Sequence, residues 1–290
     1  MAWHVSILTA LATGCIYSVM AVGVVLIYRT SRVLAFHVGE IGMLTAYILV
    51  SVWVPGGGFL NLGAAVIAAF GIAALSGVVM YVLVERIGGR LGHFVGTVIT
   101  IAATIALNGL MGLVWAAQTW RMPLFPGTIG FFGVNLSIQN LAVILIGSAA
   151  LVGIVVLIRH TSLGIDMQAI ANNPALARLR GISVQKTLCA AWMMGSLLAA
   201  LSGVMIASVS VVSVEGAVIG VSAIVAALIG GMTNVGFAIV GAFLLAGCET
   251  LVTLFGEPRF SQVIPVLGLL LLLVMRPTGL ASRSENIMRV

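Results

Sequence analysis

Residues 137–158 read SIQNLAVILIGSAALVGIVVLI, and Arg159 follows at once. No charged side chain interrupts the run. About 20 mainly apolar residues in a helix cross the hydrocarbon core of a bilayer. Comparable runs lie on both sides, at about 5–28, 33–54, 62–84, 94–117, 187–209, 217–232, 236–255 and 261–275. Those at 217–232 and 261–275 are short. The expected fold class is therefore an all-α integral membrane protein, a polytopic bundle of about 8–10 transmembrane helices.

Composition bounds the same answer. Of 290 residues, 61% are hydrophobic and 7% charged, where a soluble domain is roughly a quarter charged. Too few polar side chains remain to cover a water-exposed surface, so lipid is the expected solvent. The 35 glycines suit membrane helices, whose backbones approach closely through small residues. No stretch has soluble-domain composition, and residues 1–290 are read as a single transmembrane domain. Cys15, Cys189 and Cys248 all fall in apolar runs without metal-ligand spacing and are read as small core residues. The first run has no preceding Lys or Arg and is long enough to span, so a retained first helix is expected.

The net charge of +6 comes from arginines scattered at run ends, which points to membrane orientation rather than to nucleic acid. Arg29 and Arg32, Arg86 and Arg90, Arg159 to Lys186, and Arg276, Arg283 and Arg289 fall on one side if the runs alternate. Only Arg121 and Arg259 fall on the other. The crowded side is expected to be cytoplasmic, with the C-terminus inside and the N-terminus outside. The outer loop 118–136, with Trp120, Pro123, Pro126 and several glycines, reads as irregular.

The longest inner segment, 159–186, reads as two short helices lying at the cytoplasmic face. Asn172-Asn173-Pro174 breaks one helix and can start the next. Gly181 can cap the second. Ala169, Ala171, Ala175 and Ala177 leave a small, smooth surface beside Arg178 and Arg180, suited to docking in a partner's groove. The plainer reading is a loop that only joins two spans.

This segment resembles the cytoplasmic coupling loop of bacterial ABC import permeases, most closely those of the branched-chain amino acid importer family. The matching residues are Thr161, Gly164, Ala169, Ala171, Asn173-Pro174, Ala177 and Gly181-Ile182, then Ala199, Ala200, Gly203 and Val204. Gly230-Gly231, through Gly236, with Gly241, Gly247 and Glu249, resembles the family's turn between two late helices. Arg276-Pro-Thr-Gly-Leu280 resembles its closing signature. The resemblance implies an ATPase-coupling role for Gly164, Ala169, Ala171, Asn173, Pro174, Ala177, Arg178 and Gly181. It implies helix-turn roles for Gly230, Gly231 and Gly236.

Phe36, His37, Gly39 and Glu40 open the second run. The family carries Asn before the Phe and a His directly before the Gly-Glu pair, whereas Ala35 stands here and the His comes one place early. Polar groups at such a place either face a translocation cavity or sit at the interface beside Arg29 and Arg32. Asn108, among Thr97, Thr100 and Thr104, reads as substrate contact or as a helix-packing amide. Glu215 and Glu257 read as contacts for a periplasmic partner or, preferably, as solvated caps.

No Gly-x-x-x-x-Gly-Lys-Ser/Thr phosphate loop, His-Glu-x-x-His or catalytic triad appears in the sequence. The resemblance accordingly implies a permease without its motor, and no enzyme. Its implied partners are a second related permease subunit, two cytoplasmic ATPase subunits that bind the ATP, and a periplasmic solute-binding protein. The implied location is the inner membrane, and the substrate class is branched-chain or related small amino acids. Urea, amides, aromatic or other organic acids stay open as cargo. A stand-alone ion-coupled transporter stays open as a different class, with Glu40 and Glu249 as its candidate carboxylates.

Overall fold

The computed structural model describes residues 2–53, 58–88, 92–116, 118–122, 124, 127–131, 134–256 and 258–275. Arg90, Pro123, Pro126, Glu257 and the 276–280 block lie outside the described residues.

All nine apolar runs form helices. The elements are α1 (Ala2–Ser31), α2 (Val38–Val52), α3 (Gly58–Tyr81, continued by a π-helical turn, Val82–Ile87), α4 (His93–Trp115), α5 (Ile138–His160), α6 (Ser162–Asn172), α7 (Pro174–Leu179) and α8 (Val184–Val209). Then come α9 (Ile219–Ile229), α10 (Val235–Phe255) and α11 (Ile264–Met275). Six of these are long and apolar enough to cross a membrane: α1, α3, α4, α5, α8 and α10. The structure differs from a purely helical reading in the outer loop, where β1 (Thr128–Phe131) and β2 (Val134–Ser137) pair as an antiparallel hairpin.

α1 is the central post. It packs against α5, α8, α9 and α10, and 83% of its most apolar stretch is buried. α4 is peripheral, with 11% of the corresponding stretch buried. Its apolar side chains, such as Ile105 and Leu113, face outward, as lipid-facing side chains do. Cys15 is buried while Cys248 is exposed, so Cys248 departs from the expected core position.

The ends sort by side. At one end Trp3 meets Phe255 edge-on, 5.3 Å between ring centres. At the other, Arg32 Nη2 donates to Ala171 O over 3.2 Å, which ties the end of α1 to α6. Arg29 and Arg159 share a cleft at that end with Gln168 and Asn234. The start of the chain and the 159–186 segment therefore lie at opposite ends of the bundle, as the charge pattern requires.

Two spans are interrupted. The run expected over 33–54 is helical only from Val38, and the 217–232 run only from Ile219, after a 3-10 turn (Val214–Val218). The first break has a visible cause. Thr100 of α4 is fully buried, and its Oγ1 donates to Leu34 O over 2.7 Å and accepts from Phe36 N–H over 3.4 Å. A side chain from another helix thus satisfies backbone groups that a continuing helix would have used. The two interrupted helices meet at their starts. A Cβ on Gly39 would collide with Ala217 O and with Gly220, and a Cβ on Gly220 would lie 2.6 Å from Gly39 Cα. From that contact α2 runs 15 residues toward the end that carries the 118–136 loop and α9 runs 11 toward the other, about 22 Å and about 16 Å. The contact therefore lies within the membrane's thickness.

Candidate functional site

The 159–186 segment is built by local chemistry. Thr161 caps α6, its Oγ1 accepting from Gly164 N–H over 3.2 Å. Gln168 Nε2 donates to Ile158 O over 2.8 Å and folds α6 back against the end of α5. Gly164 packs on the backbone of Leu157 and Ile158, where a Cβ would not fit. Asn173 then starts α7: its Oδ1 accepts from Ala175 N–H at 3.0 Å and Leu176 N–H at 3.1 Å, with Pro174 in the first turn. This is the side-chain cap that a helix start calls for. α7 ends as expected, with Gly181 at φ +82° and Ile182 N–H reaching back to Ala177 O over 3.1 Å.

One expectation is corrected. Ala177 does not contribute to an outer alanine surface: it is buried with Ile170 and Val184, and Ala169 packs against the same group. Ala171 is half-buried and carries the carbonyl that Arg32 holds. The small residues let α6 and α7 sit close to α8, and larger side chains point outward. Leu176 is 57% and Leu179 84% exposed, beside exposed Arg178 and Arg180. The outward face is thus leucine flanked by arginine.

The α9–α10 turn joins this region. Gly231 takes φ +77°, and Gly230 lies against the backbone of Ala238. Asn234 caps α10 by accepting from Gly236 N–H over 2.9 Å. Thr233, Asn234 and Gly236 line the cleft with Arg29 and Arg159, about 330 Å³. Gln168 of the 159–186 segment lines the same cleft, so that segment and the glycine turn, with Gln168 and Thr233 more than 60 positions apart in sequence, are brought to one face.

The residues expected along a path are elsewhere. His37 is 0% and Glu40 6% exposed, at the start of α2 and deep in the bundle. His37 stacks on Trp192 of α8 at 5.7 Å. Neither ring nitrogen of His37, nor Glu40 Oε2, nor Ser196 Oγ one turn along α8 from Trp192, meets a hydrogen-bond partner among the described residues. Gly39 forms the contact with α9, and Phe36 is half-buried beside the Thr100 clasp. Asn108 does not join this group. It is half-buried on peripheral α4, two turns beyond Thr100.

Sequence reasoning did not single out Trp192, Ser196 or Glu85. Trp192 Nε1 donates to Glu85 Oε1 over 3.3 Å, linking α8 to the π-turn of α3. A π-turn is the kind of helix irregularity found at functional sites, but nothing in an apolar run announces one. Glu249 accepts from Tyr17 O–H over 2.7 Å, and Glu215 is exposed on the 3-10 turn nearby. Among the described residues no three His, Cys, Asp or Glu side chains gather as metal ligands would.

Comparison with known proteins agrees over the whole bundle. The profile described as branched-chain amino acid transport system / permease component matches residues 6–275. The high-affinity branched-chain amino acid transport system permease protein LivH of Escherichia coli (strain K12) is 23% identical, over 94% of this chain and 93% of its own. The corresponding BraD protein of Pseudomonas aeruginosa is 24% identical, over 96% and 95%. Among solved structures, PsaBC from Streptococcus pneumoniae in complex with Fab superposes with a TM-score of 0.52, covering 93% of this chain and 91% of that one at 15% identity. That last likeness concerns fold alone.

Proposed function

Because the chain belongs to the family of branched-chain amino acid transport system permease components, we propose that it is the membrane-spanning permease subunit of an ATP-driven importer, carrying branched-chain or related small amino acids into the cell. It is a transport protein and not an enzyme. In this reading ATP is bound and hydrolysed by two cytoplasmic ATPase subunits. A solute-binding protein delivers cargo from outside, and a second related permease completes the membrane dimer. The chain is a multi-pass protein of the inner membrane, with its C-terminus and the 159–186 segment cytoplasmic.

One observation carries the assignment: the capped α6–α7 pair, seated on α8, presents Leu176, Leu179 and two arginines outward at the end of the bundle opposite the first residues. Such a face buries leucine in a partner's groove and offers arginine to its acidic rim. ATP-driven closure of the ATPases then displaces the pair, and α8 and the α9–α10 turn carry the movement into the membrane. Transport becomes a shift between two populated states.

The test is reconstitution of the chain with its ATPases, second permease and binding protein in proteoliposomes. Labelled leucine uptake is expected only with ATP and all components present. Leu176→Asp with Leu179→Asp should abolish both ATPase co-purification and uptake while the permease still inserts. Uptake driven by an ion gradient without ATPases would overturn the reading in favour of an ion-coupled transporter.

A further inference from the structure

We propose that the inner end of this chain carries a second, regulatory site for a free zwitterionic amino acid, distinct from the transport path and read from the cytoplasmic side. The assignment of side rests on the importer reading; the chemistry of the site does not.

A cavity of about 550 Å³ opens at the coupling end, between the π-turn of α3, the start of α4, α7 and the start of α8. That volume is typical of small-molecule sites. Its lining combines two signs of charge with apolar wall. Glu85 supplies a carboxylate, Arg86 and Arg178 supply guanidinium groups, and Val33, Val84 and Leu188 supply the apolar side. An α-amino acid presents an ammonium, a carboxylate and an apolar side chain from one carbon. Glu85 matches the first, the arginines match the second as charge-assisted donors, and the valine–leucine wall matches an aliphatic side chain.

The position gives such a ligand a consequence. Glu85 is held from the membrane side by the Trp192 indole N–H, and the Trp192 ring lies on His37 at the start of α2. Arg178 belongs to α7, on the segment assigned to ATPase coupling. A ligand bound by Glu85 and Arg178 together bridges the coupling segment to α3. It therefore stabilises the arrangement in which that bridge is made, and opposes any state in which α7 moves away. Accumulated cargo inside the cell would then slow further import.

The test uses the full chain in nanodiscs of phosphatidylcholine and phosphatidylglycerol, and the assembled importer in proteoliposomes. Labelled leucine should bind the nanodisc-held chain saturably, and E85Q and R86Q should each weaken binding by about tenfold. Leucinol, which lacks the carboxylate, and 4-methylpentanoate, which lacks the ammonium, should not compete. In proteoliposomes, leucine on the coupling side should slow ATP-driven uptake several-fold. R86Q should remove that inhibition without changing uptake in its absence. No saturable binding to a preparation that still transports would overturn the site and leave the importer reading standing. Binding without ATP-driven uptake would support the site while counting against the importer. A signal that needs phosphatidylethanolamine and ignores leucine would assign the cavity to a lipid headgroup. Binding lost whenever the ATPases are attached would make the cavity part of their interface. Either of these two results would overturn the proposal.

Discussion

The start of α2 and the start of α7 lie in one chain but are held by opposite means. α7 is fixed by its own neighbours: Asn173 caps it, Pro174 presets its first turn, and Gly181 closes it, all within a few residues. α2 has no side-chain cap of its own. Its beginning is set by Thr100, more than 60 positions away, and by the glycine contacts with α8 and α9. In water a helix end can rely on solvent or a local cap. Inside a membrane it must borrow partners from other helices. The 159–186 segment is therefore a local device, and the central crossing a long-range one.

Substitutions should separate the two. The largest effect is expected at the crossing of α2 with α8, where a Cβ on Gly203 would run into the backbone of Gly42. Gly203→Ala should cost about 3 kcal/mol or prevent accumulation of folded chain, read as melting temperature and yield in detergent. Gly63→Ala, where a Cβ meets nothing within 4 Å, should leave both unchanged. Equal behaviour of the two would break the claim that backbone contact holds the centre. Next, Thr100→Val removes the clasp on Leu34 and Phe36 and should destabilise by about 1–3 kcal/mol, with faster hydrogen exchange confined to 33–40. Exchange that rises evenly across the bundle would count against a specific clasp. Asn173→Ala should cost about 1 kcal/mol, felt as weaker ATPase retention with an unchanged melting temperature for the bundle. A loss of bundle stability there would show that the segment is not a local device. The smallest effect is expected at Ser196, whose buried Oγ has no partner among the described residues. Ser196→Ala should shift stability by less than about 0.5 kcal/mol, and a clear loss would mean that the hydroxyl is engaged.

The same contrast explains what could be read from sequence. The all-helical membrane fold and the start and end of α7 were legible because hydropathy and capping residues are local signals. The break before Val38 was not, since it owes its place to Thr100, a group distant in sequence. That Asn108 lies apart from His37 and Glu40 was not legible for a related reason. A helix that is apolar all round gives no periodicity to tell a lipid-facing side from a packed one, and α4 proved peripheral. Ala177 was found at the right place with the wrong orientation: small residues serve close packing at least as often as they serve a docking surface.

The Gly39–Gly220 contact has a mechanical consequence. Two short rods touch there, α2 reaching one face of the membrane and α9 the other, and the chain just before each rod, at 32–37 and 210–218, is not α-helical. Either rod can therefore tilt about the contact without breaking its own ladder, the condition for a hinge. A push on the α9–α10 turn acts on the shorter arm of a lever whose fulcrum is a pair of glycines and whose longer arm is α2. Any side chain placed there would not merely crowd the bundle but move the fulcrum.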